Sequence, residues 1–221
     1  MSVVNALKRR ISARGFLPRP VPRDTLEEIF SRALQAPSNC NVQPWNIYVV
    51  SGPARDRLSR ELLAEVTSGR ESNPDFSWQM GYQDEHRERQ FGAAAALYDA
   101  MGIDRKDREA RQQAMLRNWE FFGAPHAVFF VMEKYLGMMG AVDMGILAQT
   151  LALLMAEQGI DSCMQGALNQ FPGPARAMFD LPDSQGVLFG MSFGYIDEEQ
   201  PANRARTVRE PLGKLVTFVD Q

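Results

Sequence analysis

Apolar and polar positions follow two different periods along this chain. Leu26, Ile29, Phe30, Ala33 and Leu34 recur three and four residues apart, which predicts an amphipathic helix. Asp24-Thr25-Leu26-Glu27 reads as a capping box at its start: Asp24 accepts from the backbone and Glu27 reaches back. Ala36-Pro37 ends the run. The polar loop Ser38-Asn39-Cys40-Asn41-Val42-Gln43-Pro44 leads into residues 45–50, a strand that Ser51-Gly52-Pro53 closes. Residues 55–66 return to a helical pattern.

The middle of the chain loses this regularity. Residues 67–85 are polar and glycine-bearing, with Phe76, Trp78 and Tyr82 in no clear period. Two charged helical patterns follow, over 87–101 and 104–120, with Gly102 as the break. A long irregular stretch inside a compact domain commonly serves a site, so 67–120 is expected to be an inserted helical cap on one domain spanning 1–221. The second half alternates. Residues 127–132 read as a buried strand and 140–158 as a long helix apolar on most of its circumference. A short strand at 161–165, a short helix at 173–179 and a strand at 185–193 follow. The tail from Pro201 carries three arginines and then strand-like alternation over 215–219, which suggests pairing with something, another subunit included. Strands separated by helices predict an α/β or α+β fold.

Composition narrows the picture. With 221 residues, 45% of them hydrophobic, the chain is long and apolar enough for a sizeable core, which excludes global disorder. The net charge of -3 gives no overall basic field for nucleic acid. Two cysteines, Cys40 and Cys163, form neither a disulfide framework nor a metal-ligand spacing. The first ten residues lack the apolar run of a signal peptide. The most hydrophobic stretch, 136–156, contains Asp143, Gln149 and three glycines, and so reads as a buried helix instead of a membrane span. A cytoplasmic protein is expected.

No zinc-binding His-Glu-x-x-His, phosphate-loop Gly-Lys-Ser/Thr or Gly-x-Ser-x-Gly elbow occurs, and the glycines of 186–194 do not form a dinucleotide fingerprint. His126, after Pro125 at a strand start, reads as structural. Anion-binding groups stand instead at the two ends: Arg10-Ile11-Ser12-Ala13-Arg14 and Arg204-Ala205-Arg206-Thr207-Val208-Arg209. Paired guanidinium donors and a hydroxyl can surround one phosphate. Spacing alone fits a solvated basic patch better. The loop from Ala36 to Trp45 can present polar groups to the edge of a planar heterocycle, or only satisfy its own turn.

Taken in order along the chain, these segments resemble the nitroreductase family. Arg10-x-Ser12-x-Arg14 with Phe16 and Val21-Pro22 matches its opening; Ala36-Pro37-Ser38 with Asn41-x-Gln43-Pro44-Trp45 is its most recognisable segment. Phe121-Phe122-Gly123-Ala124-Pro125, Asp143-x-Gly145-x-x-x-Gln149, Gly159-Ile160-Asp161, residues 190–195 and Asn203-x-x-Arg206-Thr207-x-Arg209-x-Pro211-Leu212 continue the match. The nearest likeness is to the nitrobenzoate-reductase-like branch.

That resemblance implies an α+β fold, a central mostly antiparallel sheet flanked by helices, in an intertwined homodimer with FMN at the subunit interface. Arg10, Ser12 and Arg209 would hold the phosphate, with Ile11 and Ala13 in the same segment and Arg206 as a helper. Arg14 would face the pyrimidine edge of the ring. Pro37, Ser38, Asn39 and Asn41 would come from the partner subunit, and Gln165 and Gly166 would lie near N5, although some members carry Glu where Gln165 stands. The implied activity is ping-pong reduction of nitroaromatic or quinone-like molecules with NADPH or NADH as donor, the flavin carrying the chemistry. Reductive dehalogenation, flavin destruction and a non-catalytic flavin-binding module are the alternatives.

Overall fold

The computed structural model describes residues 2–77 and 81–220; Trp78 therefore lies outside the described residues. Four strands form one sheet: β1 (Asn46–Ser51), β2 (His126–Glu133), β3 (Asp161–Gln165) and β4 (Gln185–Gly194). Their order is β1-β2-β4-β3 and every neighbouring pair is antiparallel. The apolar run expected at 127–132 is the central β2, buried at all but its last residue. A strand covered on both faces needs apolar side chains at successive positions, which is why it does not alternate.

The two faces carry two cores. Val128, Phe130 and Met132 point to one side, where α2 (Arg23–Ala33) contributes Leu26, Ile29 and Ala33 and α6 (Gly137–Glu157) contributes Met144, Leu147, Leu151 and Met155. Ala127, Phe129 and Val131 point to the other, against Leu58 and Leu62 of α3 (Gly52–Thr67), Phe121, Phe122 and Ala175 of α7 (Gly173–Phe179). A bulge between Phe130 and Val131 shifts the register with β4. Outside these layers lie α1 (Val3–Arg9), α4 (Asp84–Met101), α5 (Arg108–Leu116) and the short α8 (Leu212–Leu215).

Several local expectations change. The capping box is not formed: Pro22 occupies the N-cap without a side-chain bond, and Arg23 Nε donates to Glu27 at 2.8 Å. Glu27 lies one turn after Arg23, so the ion pair on the helix surface competes for it. β1 does close at Ser51, and Gly52-Pro53 also starts α3, where proline lacks only a donor that the first turn leaves unpaired. Gly102 ends α4 in the left-handed region at φ 67°, as a C-cap glycine does. The second charged pattern is helical only as α5, and residues 215–219 do not form a strand in this chain.

α6 is the longest helix. Gly140, Asp143, Met144, Leu147, Ala148, Leu151, Ala152 and Met155 line its buried face at helical spacing. Its other face leaves Met138, Met139, Val142 and Ile146 exposed, so the helix is half buried and not covered all round. Lys134–Glu157 is long and apolar enough to cross a membrane by length and composition, yet it packs here as a core helix.

Candidate functional site

Both arginine clusters meet on one side of the sheet. After α1, the chain runs beside β3: Ser12 pairs with Ser162 in a parallel bridge, and Ala13 N–H donates to Ser162 O at 3.1 Å. Ala13 is fully buried, so its neighbours on either side face outward. Arg9 fixes the approach by pairing with the buried Asp161 at 3.1 Å. Burial raises the Asp161 carboxyl above the usual range against the lowering effect of Arg9.

The C-terminal segment crosses the same place. A cavity of about 260 Å³ is lined by Lys8, Arg10, Ile11, Ser12 and Arg14 from the first segment and by Ala205, Arg206, Thr207 and Arg209 from the last. Ala93 and Leu97 of α4 close it. Five cations and two hydroxyls face this space and no carboxylate does, an arrangement made for a multiply charged anion. Lys8 had no distinguishing pattern in the sequence, and Thr207 stood there only as part of the C-terminal motif. Ala93 belongs to a run of four alanines, which gives α4 a side short enough to stand against the cavity. A second, mainly apolar cavity of about 140 Å³ shares Arg14 and Leu97 and adds Tyr98, Met101, Met115, Arg117, Asn118 and Phe122.

Other sequence candidates lie elsewhere. Gln165 is buried: its Nε2 donates to Asn118 O at 2.8 Å and its Oε1 accepts from the Ser192 hydroxyl. Its carboxamide is thus engaged inside the protein, and neither it nor Gly166 lines the two cavities. Cys163 lies fully buried beneath Arg10 and Arg14, and desolvation pushes its thiol up to about 11 in spite of both cations.

The loop holding Pro37, Ser38, Asn39 and Asn41 also stands apart from both cavities. Ser38 Oγ accepts from Gln43 N–H at 2.9 Å, so part of the loop does satisfy its own turn. Asp143 of α6 explains the rest. Both its carboxylate oxygens accept from Asn39 N–H, at 3.1 and 3.2 Å. Cys40, Asn41 and Gln43 all take positive φ, 48°, 56° and 47°. Such backbone is costly for residues other than glycine, and these anchors hold the loop in one shape. Among the described residues, no cluster of acidic, His or Cys side chains could hold a metal ion.

Comparison with known proteins agrees with this geometry. The profile of the Nitroreductase family matches residues 7–195. Nitroreductase NfnB of Mycolicibacterium smegmatis is 37% identical over 213 residues, covering 96% of this chain and 90% of its own. The 4-nitrobenzoate reductase of Pseudomonas putida is 34% identical over 210 residues, covering 95% and 92%. Among solved structures, the FMN- and NADPH-dependent nitroreductase NfnB from Sphigopyxis superposes with a TM-score of 0.96 at 34% identity over 100% of both chains. With the profile covering most of the sequence and the fold shared end to end, this chain belongs to the nitroreductase family.

Proposed function

We propose that this protein is an FMN-dependent oxidoreductase that takes electrons from NADPH and reduces nitroaromatic compounds. The observation that carries the reading is the acid-free cavity in which Lys8, Arg10, Arg14, Arg206 and Arg209 converge from the two ends of the chain. Its donor set fits a phosphate monoester. Relatives that are FMN- and NADPH-dependent nitroreductases, or reduce 4-nitrobenzoate, support the choice of cofactor, donor and acceptor over dehalogenation or flavin destruction.

Bound FMN would supply the two-electron chemistry, so no acid–base triad is required of the protein. The chain's own residues bind and orient. Arg10, Ser12 and Arg209 hold the phosphate, with Arg206 and Lys8 beside them. Arg14, at the wall between the two cavities, offers a fixed cation to the pyrimidine edge of the ring. Gln165 and Gly166 would lie near the N5 side of the ring, the Gln165 carboxamide being held by Asn118 and Ser192. α4 and α5 stand beside this site as its cap.

The active form is a homodimer. Val3, Val4 and Leu7 of α1, the outer stripe of α6, and Leu212, Leu215, Phe218 and Val219 of the tail leave more large apolar surface in water than a monomer normally shows. In the dimer the loop of Pro37, Ser38, Asn39 and Asn41 completes the partner's site. Dependence on NADPH, which the cytoplasm supplies, supports a cytoplasmic location.

Purified protein is expected to be yellow, or to become so with FMN, and to oxidise NADPH when 4-nitrobenzoate is added. Arg10→Ala and Arg209→Ala each lose a charged hydrogen bond, weakening FMN retention by about 1.5–3 kcal/mol. A colourless protein that cannot be reconstituted, or unchanged FMN affinity in both variants, overturns the reading.

A further inference from the structure

The stretch 203–214 carries the C-terminal cations across the cavity and is fixed at both ends by residues, Asn203 and Glu210, that do not line it. At its start Asn203 is 5% exposed and its carboxamide is fully used. Oδ1 accepts from Arg14 N–H at 2.6 Å; Nδ2 donates to Gly15 O and to Asp197 O, each at 2.8 Å. The Asn203 carbonyl accepts from Arg206 Nη1 at 2.7 Å. Asn203, 189 positions from Arg14 in sequence, therefore joins it to Arg206.

The far end is tied to α4. Glu210 accepts from Arg89 Nε at 2.9 Å and from Lys214 Nζ at 3.3 Å. Arg89 Nη2 and Lys214 Nζ also reach Glu85, at 2.7 and 3.0 Å. Arg89, Ala93 and Leu97 follow one another at intervals of four on α4, so one helix face holds the anchor and then the cavity wall. The cluster also has an electrostatic duty. Glu210 adjoins Arg209, and its carboxylate would repel a phosphate there if Arg89 and Lys214 did not neutralise it. Hydrogen bonds from Arg89 and Lys214 hold the Glu210 carboxyl below its usual range, and those to Glu85 and Glu210 hold the Lys214 ammonium above its own.

We propose that Asn203 and Arg89 are positioning residues for the phosphate site: they stretch 203–214 as a strap that holds Arg206 and Arg209 over the cavity. Neither needs to touch the cofactor. The inference rests on the phosphate reading given above, and Arg209→Ala serves as its control.

The test is titration of the apoprotein with FMN and with riboflavin, which lacks the phosphate, followed by quenching of flavin fluorescence. Thermal midpoints of the apoproteins are measured in parallel. Asn203→Ala removes three side-chain hydrogen bonds and is expected to weaken FMN about tenfold, and riboflavin less. Arg89→Ala and Glu210→Gln each cut the outer anchor and are expected to weaken FMN about two- to fivefold with riboflavin unchanged. High salt should narrow the gap between these two and wild type.

Glu210→Gln separates the strap from simple charge. If the carboxylate acted only by repelling phosphate, its removal would tighten FMN while Arg89→Ala loosened it, and that pattern overturns the proposal. Equal losses of FMN and riboflavin affinity overturn it as well, since they report general damage. Should Asn203→Ala not fold, the two half-buried variants at Arg89 and Glu210 still decide. Wild-type FMN affinity in all three, with Arg209→Ala weakened, refutes the strap alone; wild-type affinity in Arg209→Ala refutes the phosphate site beneath it.

Discussion

His126 opens β2 with 3% of its surface exposed and Phe193 stacked on its ring at 5.1 Å. Val21 N–H donates to its Nε2 at 2.9 Å, so the proton resides on Nδ1, which donates to Ser51 Oγ at 2.6 Å. The ring is a structural bolt joining the segment before α2 to the end of β1. Protonation at Nε2 would set a second donor against Val21, and burial already pushes the imidazole below its ordinary value. The unfolded chain, with a pKa of about 6.5, therefore takes up the proton first. The stabilisation is complete above that pH and is lost as pH falls from there through the lower pKa of the folded state. His126→Asn is expected to cost about 1–3 kcal/mol at neutral pH through the poorly satisfied Val21 donor. Thermal midpoints should show the gap from wild type narrowing as the buffer is taken below about pH 6; a constant gap would contradict this role.

At the scale of an element, α6 has two jobs. Its inner face builds the core, and Asp143 on that face holds the loop of Ser38, Asn39 and Asn41. Its outer stripe, Met138, Met139, Val142 and Ile146, covers nothing in this chain. Full burial of a Val or Ile side chain is worth about 1.5–3 kcal/mol, enough for a few such residues to bias association. Val142→Asp with Ile146→Lys should give a folded monomer by analytical ultracentrifugation, with circular dichroism like wild type. A double variant that stays dimeric excludes α6 from the interface.

For the whole molecule, the arginine cavity and the 37–41 loop stand apart on one chain, and the proposed dimer would make them two half-sites. A composite site predicts complementation. One subunit carries Arg10→Ala and Arg209→Ala; the other carries Ser38→Ala and Asn41→Ala. In mixed dimers one site then collects all four changes and the other is intact, so about half of wild-type activity returns. No recovery above the parent variants would mean that each chain builds its site alone.

Much of this was written in the sequence. The helical period of 26–34, the unbroken apolar run of 127–132 and the glycine at 102 specify α2, β2 and the end of α4, because burial and backbone freedom act over a few residues. The ordered motifs from Arg10 to Leu212 carried the family in the same way. Local rules failed where neighbours competed: Glu27 pairs with Arg23 and leaves the expected cap unformed. Lys8 joined the cavity without any pattern to announce it, and the strap became visible only when Asn203 met Arg14 and Arg89 met Glu210. Side-chain period encodes which face of an element is apolar. Which distant surfaces then meet depends on how segments far apart in the chain pair, and the seating of Ser12 beside β3 with the return of the tail set two clusters from opposite ends of the chain around one space.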